Sequence, residues 1–488
     1  MFAQEQLFLK AEAQFEDLQD FVKAASENGL RIDEIERGLF HKLLALGYTM
    51  LEAHVQQAGD GDLGETVKID EDRQVRRLPQ PHARRYLSIF GELTIDRYVY
   101  GTREGQRIEF VPLDEKLGLP DGEFSYVLSD WLQRLCVKES FQEATCSLKT
   151  LLGLKPSVRS SEHMNQHMAE FVEGFQEQRA APPLEEEGEV LVVTGDGKGV
   201  PMRRPPVEKA AGKRRKKGEK ANKKQMAYVG AVYSIDRFCR TADDIIDDIL
   251  RKDRASERPR PLHKRVRAEM THVIEGEACN GRVVLFGKLA EEARQRNPTV
   301  DKPVVCLMDG ERALWEVQRY FLPHAVCILD LFHVLERLWT AAYCFHPEGS
   351  RAAEDFVEAR LRMLLEGKVG RVIGGFRQML SKRELSSAKR KKLQSVITYY
   401  QNNRDRMCYD EYLSEGYPIG SGVAEGACRH LVKDRMEQTG MRWSLNGAQS
   451  MVNLRATYLN NDWDEFMNYY IQHEQKKLYR TTRCTQSA

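Results

Sequence analysis

Apolar positions recur at helical spacing through residues 1–56, where Leu7, Ala11, Leu18, Val22 and Ala25 make one stripe and Ile32, Ile35, Leu39, Leu43 and Leu46 another. With Asn28-Gly29 between the stripes, the pattern predicts two amphipathic helices that serve in packing or dimerisation. After a polar stretch from Gln57 to Gly64, the period falls to two. Tyr86 to Tyr100 alternates about Gly91-Glu92, which predicts a β-hairpin. From Phe124 to about Gln178 helical spacing returns. Phe141, Ala144, Leu148 and Leu151 mark a helix ended by Gly153, and Ser160-Ser161-Glu162 is placed to cap the next, which carries Met164, Met168 and Phe171. Two short helices about a Gly/Pro turn fit two arrangements. One is a DNA-reading helix-turn-helix that puts Arg159, Asn165 and Gln166 in a major groove; the other is an ordinary helical hairpin.

Ala180 to Gly188 reads as a linker, with a domain boundary near 185. Val190-Leu-Val-Val-Thr194 then reads as a strand buried on both faces. Gln225 to Ile235 is a second strand, and Gly281-Arg-Val-Val-Leu-Phe286 is expected to be a third, after a polar segment (Asp243 to Arg267) that the pattern leaves unplaced. Further strands are expected at Pro303–Met308 and Ala325–Leu329. Residues 351–402 show three helical faces, marked by Val357, Leu361, Leu364 and Leu365, by Val372, Ile373, Phe376 and Leu380, and by Leu393, Val396, Ile397 and Tyr400. The order strand, strand, strand, helix, strand, helix, strand, helix is that of a ribonuclease-H-like mixed sheet. The expected organisation is therefore α/β: a helical region (1–56), a hairpin with helix-turn-helix-like DNA-binding helices (80–182), a first part of the core (186–345), a helical insertion (346–412), and the end of the core with C-terminal helices (413–488).

Length and composition agree with several domains, since 488 residues that are 41% hydrophobic can fill about three cores of roughly 150 residues each. No apolar run approaches the roughly 18 to 20 residues of a membrane helix, and Met1-Phe-Ala-Gln-Glu-Gln lacks a basic stretch followed by an apolar one. A cytoplasmic, nucleoid-associated protein without a membrane partner is expected. The ten cysteines are scattered without a CxxC pair, which suits reduced thiols better than disulfides or a zinc site. The net charge of +1 hides one strongly basic segment. Arg203 to Lys224 holds eleven Lys or Arg against two Glu, with almost nothing apolar to bury. Such a segment is either a solubilising loop or a phosphate-neutralising one. The second reading makes Arg203, Arg204, Lys213, Arg214, Arg215, Lys216 and Lys217 contacts to nucleic acid. Double-stranded DNA is favoured over RNA because of the helical hairpin upstream.

Candidate chemistry lies at the ends of the strands. Asp196 closes the first strand between glycines, a position that suits either a turn or a site at a sheet edge. Asp309 closes another in the same way, so that if the two strands are neighbours their carboxylates form a metal site. Asp330-Leu-Phe-His333 opens a helix, where Asp330 serves as a cap with His333 packed inside, or both contact metal or DNA. Glu425 follows the bend Tyr417-Pro-Ile-Gly-Ser-Gly and falls in the first turns of a helix, able to point back at the sheet.

Four segments together, Val193-Thr-Gly-Asp196-Gly-Lys-Gly199, Cys306 to Trp315, Asp330 to His333 and the long run Tyr417 to Ser444, resemble bacterial insertion-sequence transposases of the DDE class. The likeness is nearest the Kra group, with mutator-like enzymes more distant, and spans roughly residues 185 to 460. The resemblance implies a ribonuclease-H-like fold with a helical insertion, Asp196, Asp309 and Glu425 as the catalytic and metal-binding triad, and Asp330 and His333 as accessory residues. It also implies Mg²⁺, for which Mn²⁺ can substitute, and a pair of ions bridged by Asp196. The chemistry suits these residue types: two such ions about 3.5 to 4 Å apart serve phosphodiester displacement, and hard cations prefer carboxylate oxygens. On an α-helix Arg429 would lie one turn and Lys433 two turns beyond Glu425, both within reach of backbone phosphate. Trp443 is either a core anchor or part of the site. The implied partners are double-stranded DNA, as terminal inverted repeats and target, and a second copy or more of the chain. The alternatives are a metal-dependent nuclease or resolvase that does not join DNA, and a DNA-binding protein without catalysis.

Overall fold

A computed structural model describes residues 2–69, 73–102, 108–203, 224–251, 258–274 and 277–479. The chain divides into two compact units, Met1–Phe175 with Trp463–Ala488, and Gln176–Asp462. No described helix is long and apolar enough to cross a membrane.

The first unit opens with the two expected helices, Phe2–Glu27 and Ile32–Gln57, reversed at Gly29 in a left-handed conformation. Lys42 pairs with Asp17 across the hairpin, and the tip of the Phe21 ring abuts Gly38, where a methyl group would overlap it. Strands β1 (Thr66–Lys68), β2 (Gln74–Arg77) and β5 (Tyr100–Gly101) form one small sheet. The hairpin of β3 (His82–Ser88) and β4 (Gly91–Arg97) closes at the Ser88–Gly91 pair, at the glycine on which the alternation turned. Buried Asp114 holds the two strands together, ion-paired to Arg84 at 2.5 Å and Arg97 at 2.7 Å.

The helices Tyr126–Cys136, Phe141–Leu152 and Val158–Ala169 follow. Gly153 ends the second of these, as expected. The cap of the third is Ser157, whose side chain accepts from the Ser160 amide at 2.9 Å, rather than the Ser160-Ser161-Glu162 run. Asn165 is also not free to read DNA here. It is buried and donates to Gln133 Oε1 at 2.9 Å, while Gln133 donates to the Ser161 carbonyl at 3.0 Å. Interhelical amide pairing satisfies these groups, so that the buried face reads as polar in sequence. The last helix, Trp463–Tyr479, lies in this unit and not at the end of the sheet domain. Trp463 donates to Asp130 at 2.7 Å, and Phe466 and Tyr469 meet Phe175 edge to face. Aromatic periodicity reveals that this helix is buried, but not against what.

The second unit is built on β6 (Val190–Pro201), β7 (Lys224–Ile235), β8 (Leu262–Met270), β11 (Val304–Met308) and β12 (Val326–Leu329), with a short hairpin of β9 (His272–Ile274) and β10 (Glu277–Cys279) between. The five-stranded sheet has the order β12-β11-β6-β7-β8 and is mixed, with β7 alone running against the others. Alternate residues feed two cores. Leu191, Val193, Cys306 and Met308 meet Leu285, Phe286, Leu289, Leu314 and Trp315 of the helices Gly281–Arg296 and Arg312–Phe321. Val190, Val192, Val305, Leu307 and Ile328 meet the opposite layer. That layer comprises Leu331–Ala342 and the helical insertion, Arg351–Leu365, Val369–Lys382, Ser387–Asn402 and Tyr409–Ser414.

One expected strand is a helix. Gly281-Arg-Val-Val-Leu-Phe286 is the first turn and a half of Gly281–Arg296, capped by Asn280, and the third strand is β8 in the segment that resisted placement. Both have a physical cause. The helix hides its period because its apolar residues crowd into the first turns. The strand carries Arg265, Arg267 and Glu269 on positions that would otherwise be apolar. These charges are matched by the overlying helix: Arg265 and Arg267 reach Glu292 at 2.9 and 3.0 Å, and Glu269 takes Lys288 at 2.7 Å.

Candidate metal centre

Register brings the first two acids together. Gly195 of β6 pairs with Met308 of parallel β11, so Asp196 and Asp309 are the next residues on adjacent strands, which lie about 4.8 Å apart in any sheet. Asp196 Oδ1 accepts the Gly197 amide at 2.6 Å, and Asp309 Oδ1 accepts the Glu311 amide at 2.9 Å. The Asp309 turn is gripped from both layers. Trp315 Nε1 donates to the Asp309 carbonyl at 2.6 Å, and the Tyr399 ring from the insertion lies so close to Gly310 that a side chain there would overlap it. Burial pushes the Asp309 carboxyl up from its ordinary range, and the charges of Asp196 and Asp330 push it the same way.

Asp330 follows β12 and is fully buried. It does cap its helix, with Oδ1 accepting the Phe332 amide at 3.2 Å, and it does more. The same oxygen accepts the Ser421 amide at 3.0 Å, Oδ2 takes His333 Nδ1 at 2.6 Å, and the neighbouring Leu331 amide donates to the Ile419 carbonyl at 2.9 Å. These bonds fasten the Gly-Ser bend, and with it the start of helix Gly422–Ala427 that carries Glu425, to the end of β12. The Asp330 bond drives the His333 imidazole up to about 9, against the effect of burial, with Asp309 and Glu425 adding to the rise.

Asp330, His333 and exposed Glu425 each offer a ligand atom within 4.8 Å of the others, and this is the group of three among the described residues that could hold a metal ion. The triad expected from sequence is thus divided. Glu425 belongs to the close group with the two residues expected to be accessory, while Asp196 and Asp309 adjoin it as a pair on neighbouring strands. The two parts meet electrostatically through Asp309, which feels both Asp330 and His333. Carboxylates crowded enough to raise Asp309, with one imidazole beside them, make a donor set that fits a divalent cation.

The residues beyond Glu425 depart from α-helical spacing. The helix becomes a π-helix over Cys428–Lys433, so Arg429 and Lys433 do not follow Glu425 at one and two α-turns. Wider turns of this kind often mark functional sites. Arg429 is exposed and turns toward Asp434, at 3.8 Å, and Lys433 is exposed as well. Arg203 lies at the end of β6, where its amide donates to the Trp443 carbonyl at 2.7 Å and its Nε to the Arg442 carbonyl at 3.0 Å. Trp443 is buried, with Nε1 on the Met436 carbonyl at 3.0 Å, which makes it a core anchor joined to β6. Arg204, Lys213, Arg214, Arg215, Lys216 and Lys217 lie outside the described residues; they belong to the connection between antiparallel β6 and β7.

Several residues at the centre escaped the sequence reading. Cys428 is buried with its thiol hydrogen-bonded to Asp196, and burial, then that carboxylate, push the thiol well up. Glu311 is raised by burial and by Asp309 and Asp196; an acid two positions after a strand-end aspartate was the available signal. Tyr399 and Ser421 gave none, because each acts across the fold. No protein-family model matches this chain, and a search of curated proteins returns no match to it.

Proposed function

We propose that the chain is a metal-dependent DNA strand-cleaving and strand-joining enzyme of the DDE transposase kind, working on double-stranded DNA in the cytoplasm. The observation that carries this reading is the side-by-side placement of Asp196 and Asp309 on parallel strands, with the Glu425 helix tied to the next strand end through Asp330 and Ser421. A ribonuclease-H-like core is supported by the strand order and by the single reversed strand, β7.

In this mechanism Asp196, Asp309 and Glu425 would hold the divalent cations, and Asp330 is the positioning residue for both Glu425 and His333. Such cations, Mg²⁺ or Mn²⁺, supply Lewis acidity and charge neutralisation at the reacting phosphodiester. His333, with Nδ1 engaged by Asp330, keeps Nε2 to donate to a phosphate oxygen. The basic segment after β6 screens neighbouring phosphates. Hydrolysis at an element end leaves a 3′-hydroxyl, and that hydroxyl displaces a 3′-oxygen in target DNA, so one bond forms as one breaks.

The test is incubation of the purified chain with duplexes bearing candidate element ends and Mg²⁺, alongside Glu425→Gln. Cleaved and joined products from the wild type, both lost in the variant while DNA binding persists, are expected. Cleavage that never yields joined product would favour a nuclease or resolvase. DNA binding with no cleavage in either protein would favour a non-catalytic binding protein.

A further inference from the structure

The N-terminal helical hairpin leaves an apolar band uncovered. Phe15 and Val22 on its first helix are 51% and 45% exposed, and Ile32, Leu43 and Met50 on its second are 79%, 53% and 46% exposed. At about 100° per residue, Phe15 and Val22 fall within roughly 20° of each other, as do Ile32, Leu43 and Met50. Each set lies to one side of the seam, which is marked by buried Ala11 and Ala25 on the first helix and buried Thr49 and Ala53 on the second. Because the helices are antiparallel, both sets turn to the same side of the hairpin. The Lys42–Asp17 pair and the Phe21–Gly38 contact fix the register so that Phe15 and Leu43 stand abreast, and Ile32, Val22, Leu43 with Phe15, then Met50 follow one another along the axis.

We infer that this band is where a second copy of the chain docks, hairpin against hairpin, to close a four-helix bundle. The size is right for self-association. Two 26-residue helices are each about 39 Å long, and side by side they present roughly 800 Å², the per-partner area of a stable interface. A two-helix hairpin also has no inner core of its own to spare, whereas two hairpins bury all four stripes. Charge argues against nucleic acid as the occupant: residues 1–57 hold ten Asp or Glu against five Lys or Arg, so phosphates are repelled. A two-fold contact uses the same surface on both copies, so the band need only match itself.

The experiment is sedimentation velocity on the full chain at micromolar concentrations, comparing wild type with the double variant Leu43→Lys, Met50→Lys and with a control, Leu151→Lys, at an exposed apolar position elsewhere. The wild type and the control are expected at twice the 56.2 kDa chain mass, and the double variant at the chain mass, with unchanged far-ultraviolet circular dichroism. Should the lysines disturb folding, Leu43→Ser with Met50→Ser puts the same question to a milder variant. A wild type that sediments as a monomer, or a folded variant that remains a dimer, overturns the inference. Neither outcome depends on catalysis, so the proposed function stands or falls separately.

Discussion

Asp330 illustrates how much a single carboxylate does in this molecule. Its two oxygens cap a helix, hold the bend before Glu425 and orient His333. Outer residues that orient metal ligands typically govern affinity by 10 to 100-fold, and replacing a buried group that satisfies several donors also leaves those donors unpaired. Asp330→Ala is therefore expected to weaken Mn²⁺ binding by at least about 10-fold, read by calorimetric titration, and to lower the melting temperature. Undiminished affinity would show that Asp330 is only a cap. A second residue-scale prediction concerns pH. His167 Nε2 donates to buried Glu474 Oε1 at 2.5 Å, and that hydrogen bond raises the imidazole above its ordinary value against the effect of burial. A raised folded value means that the pair stabilises fully below the unfolded value of about 6.5 and that the contribution fades as pH rises through the folded one. Melting curves of wild type and His167→Gln should therefore differ most at mildly acidic pH and converge under alkaline conditions. A gap that widens with pH would contradict the pairing.

Among elements, the Asp309 turn depends on the helical insertion as well as on its own strand. Gly310 has space for no side chain because Tyr399 covers it, and the guanidinium of Arg337 lies 5.1 Å from that ring. Overpacking of this kind typically costs about 1–3 kcal/mol. Gly310→Ala should therefore lower stability by that order in denaturant titration, and Gly310→Ala with Tyr399→Leu should recover part of it, since contacting residues couple. Additive losses would mean that the two do not meet. Helix capping gives a simpler test: Ser157→Ala should cost about 1 kcal/mol, because Ser157, not the downstream serines, takes the free amide.

The same scale shows what could be read in advance. The runs leading to Asp196 and Asp309 announced themselves as strands, since β-branched runs buried on both faces contain no charge to confuse them, but β6 continues past Asp196 to Pro201, paired with β7 throughout, and does not end at the aspartate as the flanking glycines suggested. Strand β8 did not, because its arginines are neutralised by Glu292, which lies later in the helix whose first turns were read as the strand. The cap at Ser157 was missed by a few residues because several serines there are equally able to serve. The shift to π-helix after Ala427 had no local signal at all, and it redirected Arg429 and Lys433.

At the level of the whole molecule, the chain leaves the first unit after Phe175, builds the sheet and its insertion, and returns at Trp463 to finish the unit it began. Sequence periodicity cannot show such a return, because a buried helix looks the same whichever core receives it. The site was more legible than the architecture. Its four acids and imidazole sit beside glycines in β6 or at strand ends and helix starts, where chain punctuation marks them, yet their grouping is a property of register and of bonds across the sheet. Asp330, His333 and Glu425 draw together while Asp196 and Asp309 form the adjoining pair.

That division makes one measurement decisive: the anomalous scattering of Mn²⁺ soaked into crystals of the full chain. Two peaks about 3.5–4 Å apart, bridged by Asp196 and completed by Asp309 and Glu425, are predicted. A lone peak on Asp330, His333 and Glu425, or none at this end of the sheet, would contradict the account.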